Sequence, residues 1–201
     1  MTLSRVALPV LVALAATRPS DVAAQVRPGV AVRGELWFDA RATLGPFRGI
    51  TRTVRGAITG GAELGAVRGW IEFGARDLTT DNGLRDRDMR SSLEVDKFPA
   101  IRFDLDSVIV APGADTAGDS VHIELVGRMQ IHGVTREIRA PSLVRRAGDL
   151  VRASGGFDLF VPAYGIKGLR KMFGTLSMEE TVRIGFDVTF NTSTQGVEDE
   201  Q

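Results

Sequence analysis

The chain has 201 residues, 43% hydrophobic and 25% charged, with 25 basic residues against 25 acidic, two His and no Cys. That length suits one sizeable domain with a real core, and two would each be thin. The absence of Cys excludes disulfide staples, thiolate metal sites and cysteine nucleophiles. Two His leave little for a histidine-rich metal centre, and the balanced charge supplies no global basic field for nucleic acid.

Arg5 heads an apolar run from Val6 to Ala16, broken only by Pro9 and too short to cross a bilayer. Val22-Ala23-Ala24 then places small residues where a leader would be cut, so residues 1–24 read as a signal peptide cleaved after Ala24. No Cys follows, which excludes lipoprotein anchoring. Removing Arg5, Arg18 and Asp21 leaves 23 basic and 24 acidic residues, a net charge of −1. The reading is an exported, periplasmic protein.

Beyond the leader the pattern is that of strands. Candidate segments lie around 33–43, 50–59 and 67–76. Asp81-Asn82-Gly83 then supplies a turn or cap, and Leu84 to Leu93, with Met89 and Leu93 four residues apart, reads as one short helix across a barrel end. Pro99 ends that connection and Ala100 opens a strand in which Ile101, Phe103 and Leu105 alternate with Arg102, Asp104 and Asp106. Val121, Ile123 and Leu125 continue in phase through Gly127, Met129 and Ile131 to a turn at His132-Gly133. Weaker strands are expected at 136–145 and 150–160, and a second short helical turn at Lys167 to Phe173. The clearest two-residue period is Val182, Ile184, Phe186, Val188 and Phe190, with Arg183, Asp187 and Thr189 facing the other way. Asn191 to Gln201 is polar and acidic and is expected to be a disordered tail. About eight strands punctuated by Gly60-Gly61, Pro112-Gly113, Gly148-Asp149 and Gly165 describe an all-β barrel or sandwich.

The chemical constellations are thin. No Gly-x-Ser-x-Gly elbow exists; His132 sits in a Gly-containing turn and His122 on a polar strand face, so no catalytic residue is assigned. Asp77, Asp81, Asp86 and Asp88 do not follow the EF-hand order and alternate with Arg85, Arg87 and Arg90, which reads as a self-neutralised, solvated helix face; no metal ligand is assigned. The paired glycines are not followed by Gly-Lys-Ser/Thr, and the basic residues are not interleaved with stacking aromatics, so neither a phosphate loop nor nucleic-acid binding is expected. What remains is the apolar interior, which is either filled by its own side chains or left with room for a ligand; the two stay open at this point.

Three stretches, in order, carry a resemblance. They are Arg85 to Phe103, with Asp96-Lys97-Phe98-Pro99-Ala100-Ile101-Arg102-Phe103; Leu125 to Arg136, with Gln130-Ile131-His132-Gly133-Val134-Thr135; and Ala153-Ser154-Gly155-Gly156-Phe157 through Tyr164-Gly165-Ile166. Together they resemble the YceI-like family of periplasmic polyisoprenoid-binding proteins over about residues 30 to 190. The chain departs from the family pattern at its opening, Leu36-Trp37-Phe38-Asp39-Ala40-Arg41, and at Ser91-Ser92-Leu93-Glu94-Val95, where two aromatics are missing. The segment from Ile166 to Met178 is also unlike the common form.

The resemblance implies a lipocalin-like, antiparallel up-and-down barrel over residues 25–190, whose interior holds a long isoprenoid lipid, quinone-like or polyprenyl, with no cofactor. Strand phase then nominates the ligand-binding wall: Phe38, Ile71, Phe73, Ile101, Phe103, Ile123, Leu125, Met129, Phe157, Leu159, Ile184 and Phe186, each of which plain core packing would also explain. The partner expected is an isoprenoid or other amphiphilic lipid; a homodimer through edge strands is left open. Two competing readings are an outer-membrane barrel, opposed by the polar outward residues and the lone Tyr, and an interaction module with a filled interior.

Overall fold

The computed structural model describes residues 28–60, 64–114, 116, 118–166, 170–171 and 176–193. The expected leader and cleavage site therefore lie outside the described residues. Eleven strands and one α-helix follow in order: β1 (Gly29–Ala42), β2 (Gly45–Thr51), β3 (Arg55–Thr59), β4 (Arg68–Gly74), α1 (Gly83–Ser92), β5 (Ala100–Val110), β6 (Ser120–Ile131), β7 (Val134–Ala147), β8 (Leu150–Phe160), β9 (Arg170–Lys171), β10 (Leu176–Ser177) and β11 (Thr181–Asn191).

All pairings are antiparallel; successive strands pair from β3 to β8, β8 then pairs with β11 past the β9–β10 segment, and β11 returns to β1 and closes the sheet. β2 and β3 both pair with β1 and act as one strand interrupted at residues 52–54, so the barrel has eight staves and an up-and-down topology. The small β9–β10 ribbon stands apart. Among the described residues, closure is partial at two places: β2 meets the chain beyond it only at the Ile50–Thr79 bridge, and β7 pairs with β8 only over Ser142–Ala147.

The two-residue period explains the wall. Ile101, Phe103, Met129, Ile131, Phe157, Leu159, Val182 and Phe186 are buried in one core cluster, while Arg102, Arg128, Asp158 and Arg183 face outward. The outer surface is a lattice of opposite charges on adjacent strands: Asp39 with Arg48, Glu35 with Arg52, Arg55 with Glu72, Arg139 with Glu124, and Arg152 with Asp187. Each such pair contributes little to stability. Together they form a surface that a lipid-facing band could not tolerate, which disposes of the outer-membrane reading.

Phase slips at two points. The register shifts between Leu105 and Ser107, so Asp106 is bulged and the inward positions become Val108 and Val110. A second shift lies between Ala31 and Arg33. Both bulges bend their strands, as closing a small barrel requires.

One end of the barrel is covered by α1. Asn82 caps it, its side chain accepting from the backbone N–H of Leu84 and Arg85 at 3.1 and 3.0 Å. Beside it, His132 adopts a left-handed φ of 52° in the β6–β7 turn, and its Nδ1–H donates to the Tyr164 carbonyl at 3.2 Å. Its ring packs 4.5 Å from that of Phe98, and that contact ties the turn to the chain leaving α1; its Nε2 lies 3.1 Å from Glu94 Oε1 without hydrogen-bond geometry.

Two expectations need correction. The helical turn placed at Lys167 to Phe173 is not found where it can be seen: Arg170 and Lys171 form β9, and the turn, of 3₁₀ type, comes earlier at Val161–Tyr164, where Pro162 presets the backbone. The remainder of that segment lies outside the described residues. At the C-terminus Asn191 still belongs to β11, and buried Thr192 donates through its N–H and Oγ1 to the Asp149 carbonyl, because the β7–β8 turn offers a free acceptor there. Asn191 to Ser193 are therefore not part of such a tail, and residues 194–201 lie outside the described residues.

Candidate functional site

The barrel is hollow. Two apolar compartments, of about 570 and 420 Å³, lie end to end and share Leu36, Met129 and Ile184 in their walls. Each falls within the roughly 300–1,000 Å³ typical of small-molecule sites.

The first compartment, at the end away from α1, is walled by strands. Ile71, Phe103, Ile123, Leu125, Met129, Phe157, Ile184 and Phe186 all line it. Two glycines shape it. A Cβ on Gly127 would stand 2.6 Å from the Phe103 ring, and one on Gly155 would stand 3.0 Å from the Phe186 ring. Each aromatic ring therefore leans on a neighbouring strand where no side chain intervenes, and small Ala140 and Ala153 add room. Charge enters only at the rim, where Arg146 and Asp119 stand with Ser120 and Thr116.

The second compartment lies under α1. Phe38, Phe73, Ile101 and Leu159 line it together with Met129 and Ile184. All twelve residues nominated from strand phase thus border one compartment or the other. Ile131 and Val182, in phase with these, also line it, but phase could not reach Leu84 and Met89 of α1, Leu93 at its C-cap, Leu44 of the β1–β2 turn, or Leu78, Ile166 and Met178 of irregular connections. Only the Met89/Leu93 spacing was a signal for any of them.

The lid is held by a buried charge. Asp86, expected on a solvated face, is 7% exposed. Its carboxylate accepts from the Thr80 N–H (2.7 Å), the Thr80 hydroxyl (2.7 Å) and the Thr79 hydroxyl (2.9 Å), pinning the first turn of α1 to the chain that leaves β4. Burial alone would push this carboxyl up. The hydrogen bonds from Thr80 and Thr79, with the charge of Arg90, outweigh it and hold the group below the usual carboxylate range. Arg85 lies over the Phe47 ring at 4.3 Å and joins the lid to β2. Deeper in, burial raises the Tyr164 phenol, an effect partly offset by Arg136.

The Thr79 and Thr80 hydroxyls that meet the Asp86 carboxylate serve to anchor the helix. Among the described residues, no three His, Asp or Glu side chains converge as metal ligands would. Both compartments are walled mainly by apolar side chains and so offer apolar surface a place out of water.

A search of curated protein sequences returns no match. Solved structures do resemble this chain. A polyisoprenoid binding domain from Saccharophagus degradans aligns with a TM-score of 0.67 at 15% identity, covering 84% of this chain and 99% of that one. Burkholderia cenocepacia BcnA aligns at 0.65 and 12%, covering 78% and 95%. A Campylobacter jejuni YCEI protein aligns at 0.55 and 12%, covering 72% and 84%. At these identities the likeness establishes the fold. The YceI-like domain matches the sequence from residue 23 to residue 190, and the chain belongs to the YceI-like family.

Proposed function

We propose that this protein is an exported, non-catalytic carrier of a long-chain isoprenoid lipid, held along the apolar interior of the barrel. The observation that carries the reading is the pair of abutting apolar compartments, which share Leu36, Met129 and Ile184 and run from one barrel end to the other. A barrel that served only as a packed interaction module would have no use for such a space. The printed description of the Saccharophagus degradans relative as a polyisoprenoid binding domain supports the same class of ligand.

The energetics need no charged contact. At about 0.8 kcal/mol per buried carbon, a five-carbon isoprene unit gains about 4 kcal/mol on leaving water. Specificity would be coarse and set by tunnel length, since neighbouring chain lengths differ only in apolar area. Phe38, Ile71, Phe73, Ile101, Phe103, Ile123, Leu125, Met129, Phe157, Leu159, Ile184 and Phe186 are the proposed contacts. Residues 1–24 are the proposed leader, and the periplasm the proposed compartment.

Native mass spectrometry with organic extraction of the exported protein tests this directly. A prenyl lipid at near-stoichiometric amount is the expected result. An empty protein that also refuses an added long-chain quinone in titration would overturn the reading. A second test fills the space: Ala153→Trp, whose side chain would enter the first compartment, should weaken quinone binding at least about tenfold while the near-ultraviolet circular dichroism stays that of a folded barrel. Unchanged affinity would move the ligand elsewhere.

A further inference from the structure

Large apolar side chains are exposed at seven described positions: Val30, Val32, Leu44, Leu84, Ile109, Leu150 and Phe160. Five of these border neither compartment. Leu44 and Leu84 differ: they are the most exposed of the set, at 85% and 61%, and both line the second compartment. They come from separate elements, the tip of the β1–β2 hairpin and the first turn of α1. These are joined where Arg85 of the helix covers Phe47 of β2. The first compartment has no exposed large apolar residue in its wall, and its rim carries Arg146, Asp119, Ser120 and Thr116. The molecule thus has one mouth rimmed with leucine and one rimmed with polar groups.

We infer that the leucine-rimmed mouth docks on a lipid bilayer, with Leu44 and Leu84 entering the acyl boundary so that cargo passes between membrane and cavity without crossing water. This rests on the lipid-carrying reading. A bilayer is favoured over a protein partner because the two leucines continue the cavity wall. A cargo this apolar resides in a membrane before it is collected, and any aqueous gap at the mouth would oppose every carbon that crossed it. The polar neighbours in the same lining are Thr43, Asn82, Ser92 and Ser177, with Arg85 and Asp88 adding one charge of each sign, so the rim has no net charge to repel a zwitterionic headgroup. Two leucines give a weak and reversible attachment, as a carrier that must leave the membrane again requires.

The test uses the full folded protein and two readouts. Flotation with cargo-free phosphatidylcholine vesicles reads docking alone. Uptake of a fluorescently labelled long-chain prenol, presented in such vesicles or in detergent micelles, reads transfer and occupancy. For the double substitution Leu44→Ser and Leu84→Ser, flotation should fall about tenfold, and uptake from vesicles should fall about tenfold relative to loading of the same variant from detergent, which corrects for any loss of cavity wall. Ile109→Ser with Leu150→Ser, exposed on the outer face and lining neither compartment, should change neither.

Flotation and vesicle uptake at the unsubstituted rate would overturn the docking role. So would absence of flotation by the unsubstituted protein. A dimer in sedimentation that the double substitution dissolves would overturn it too, since the rim would then be covered by a second copy. Failure of the unsubstituted protein to load from detergent, with flotation intact, would instead strike the carrier reading and leave the docking surface standing.

Discussion

The two halves of the interior are built differently. Around the first compartment, Phe103, Phe157 and Phe186 are 7–8% exposed; Phe103 and Phe186 sit where β5 and β11 are laddered on both sides, and Phe157 is laddered to β11. Around the second, part of the wall is a ten-residue helix and a hairpin tip, held by the Asn82 cap, the Asp86 carboxylate, the Arg85–Phe47 contact and the packing of Met89 and Leu93. The first half has a mouth at Thr116, Asp119, Ser120 and Arg146, but widening it means parting a sheet. Opening the second means releasing a few side-chain contacts. Regions that admit ligands are drawn from the less stable parts of a fold, so we propose the lid end as the gate and the strand end as the fixed mould.

The largest test of that contrast places a polar group in each wall. Phe103→Asp loses the packing of a buried aromatic, about 3–5 kcal/mol, and adds an unpaired buried charge. Against a domain stability of about 5–15 kcal/mol, it should leave little folded protein in urea titration. Leu84→Ser, at a 61% exposed position, should cost under about 0.5 kcal/mol in the same measurement. Comparable losses at the two sites would mean that the lid belongs to the same cooperative unit as the sheet.

A smaller effect should follow at the lid anchor. Asp86→Ala removes a carboxylate that accepts three hydrogen bonds and leaves the Thr79 and Thr80 donors to find water. A loss of about 2 kcal/mol is expected, confined to α1. Amide exchange in α1 should quicken by more than tenfold while β6 amides keep their protection, and bound lipid should leave faster. Equal loosening of β6 would remove the distinction between gate and mould.

How far this was legible in the sequence follows the same divide. Strand phase is one bit per residue, inward or outward, and runs such as Val182 to Phe190 state it repeatedly. That is why twelve positions chosen by phase all border the interior. Phase failed where the backbone slips, at the bulge that turns Val108 and Val110 inward. It was silent on the lid, whose contacts are set by tertiary closure, and there Asp86 passed for a solvated charge because its neighbours in sequence are arginines. Whether the barrel is hollow was also unreadable. That depends on how Phe103 and Phe186 lean towards Gly127 and Gly155, a matter of volume across strands that no single-strand pattern encodes.

The smallest expected effect concerns acid. The folded-state pKa of Asp86 lies below its ordinary value, because the Thr80 and Thr79 hydrogen bonds and Arg90 outweigh the opposing effect of burial. A carboxyl depressed on folding contributes stability that is fully present above its unfolded value, near about 3.9, and is lost as pH falls through the lower folded value. The Asp86 anchor should therefore hold at neutral and mildly acidic pH and loosen only below about pH 4. The Thr80 amide, which donates to Asp86 Oδ1 at 2.7 Å, is a direct reporter. Its proton shift should titrate in that acid range in the native protein and stay flat in Asp86→Asn. A Thr80 shift that already moves between about pH 7 and 5 would mean a carboxyl raised by burial, and a gate that mild acid opens.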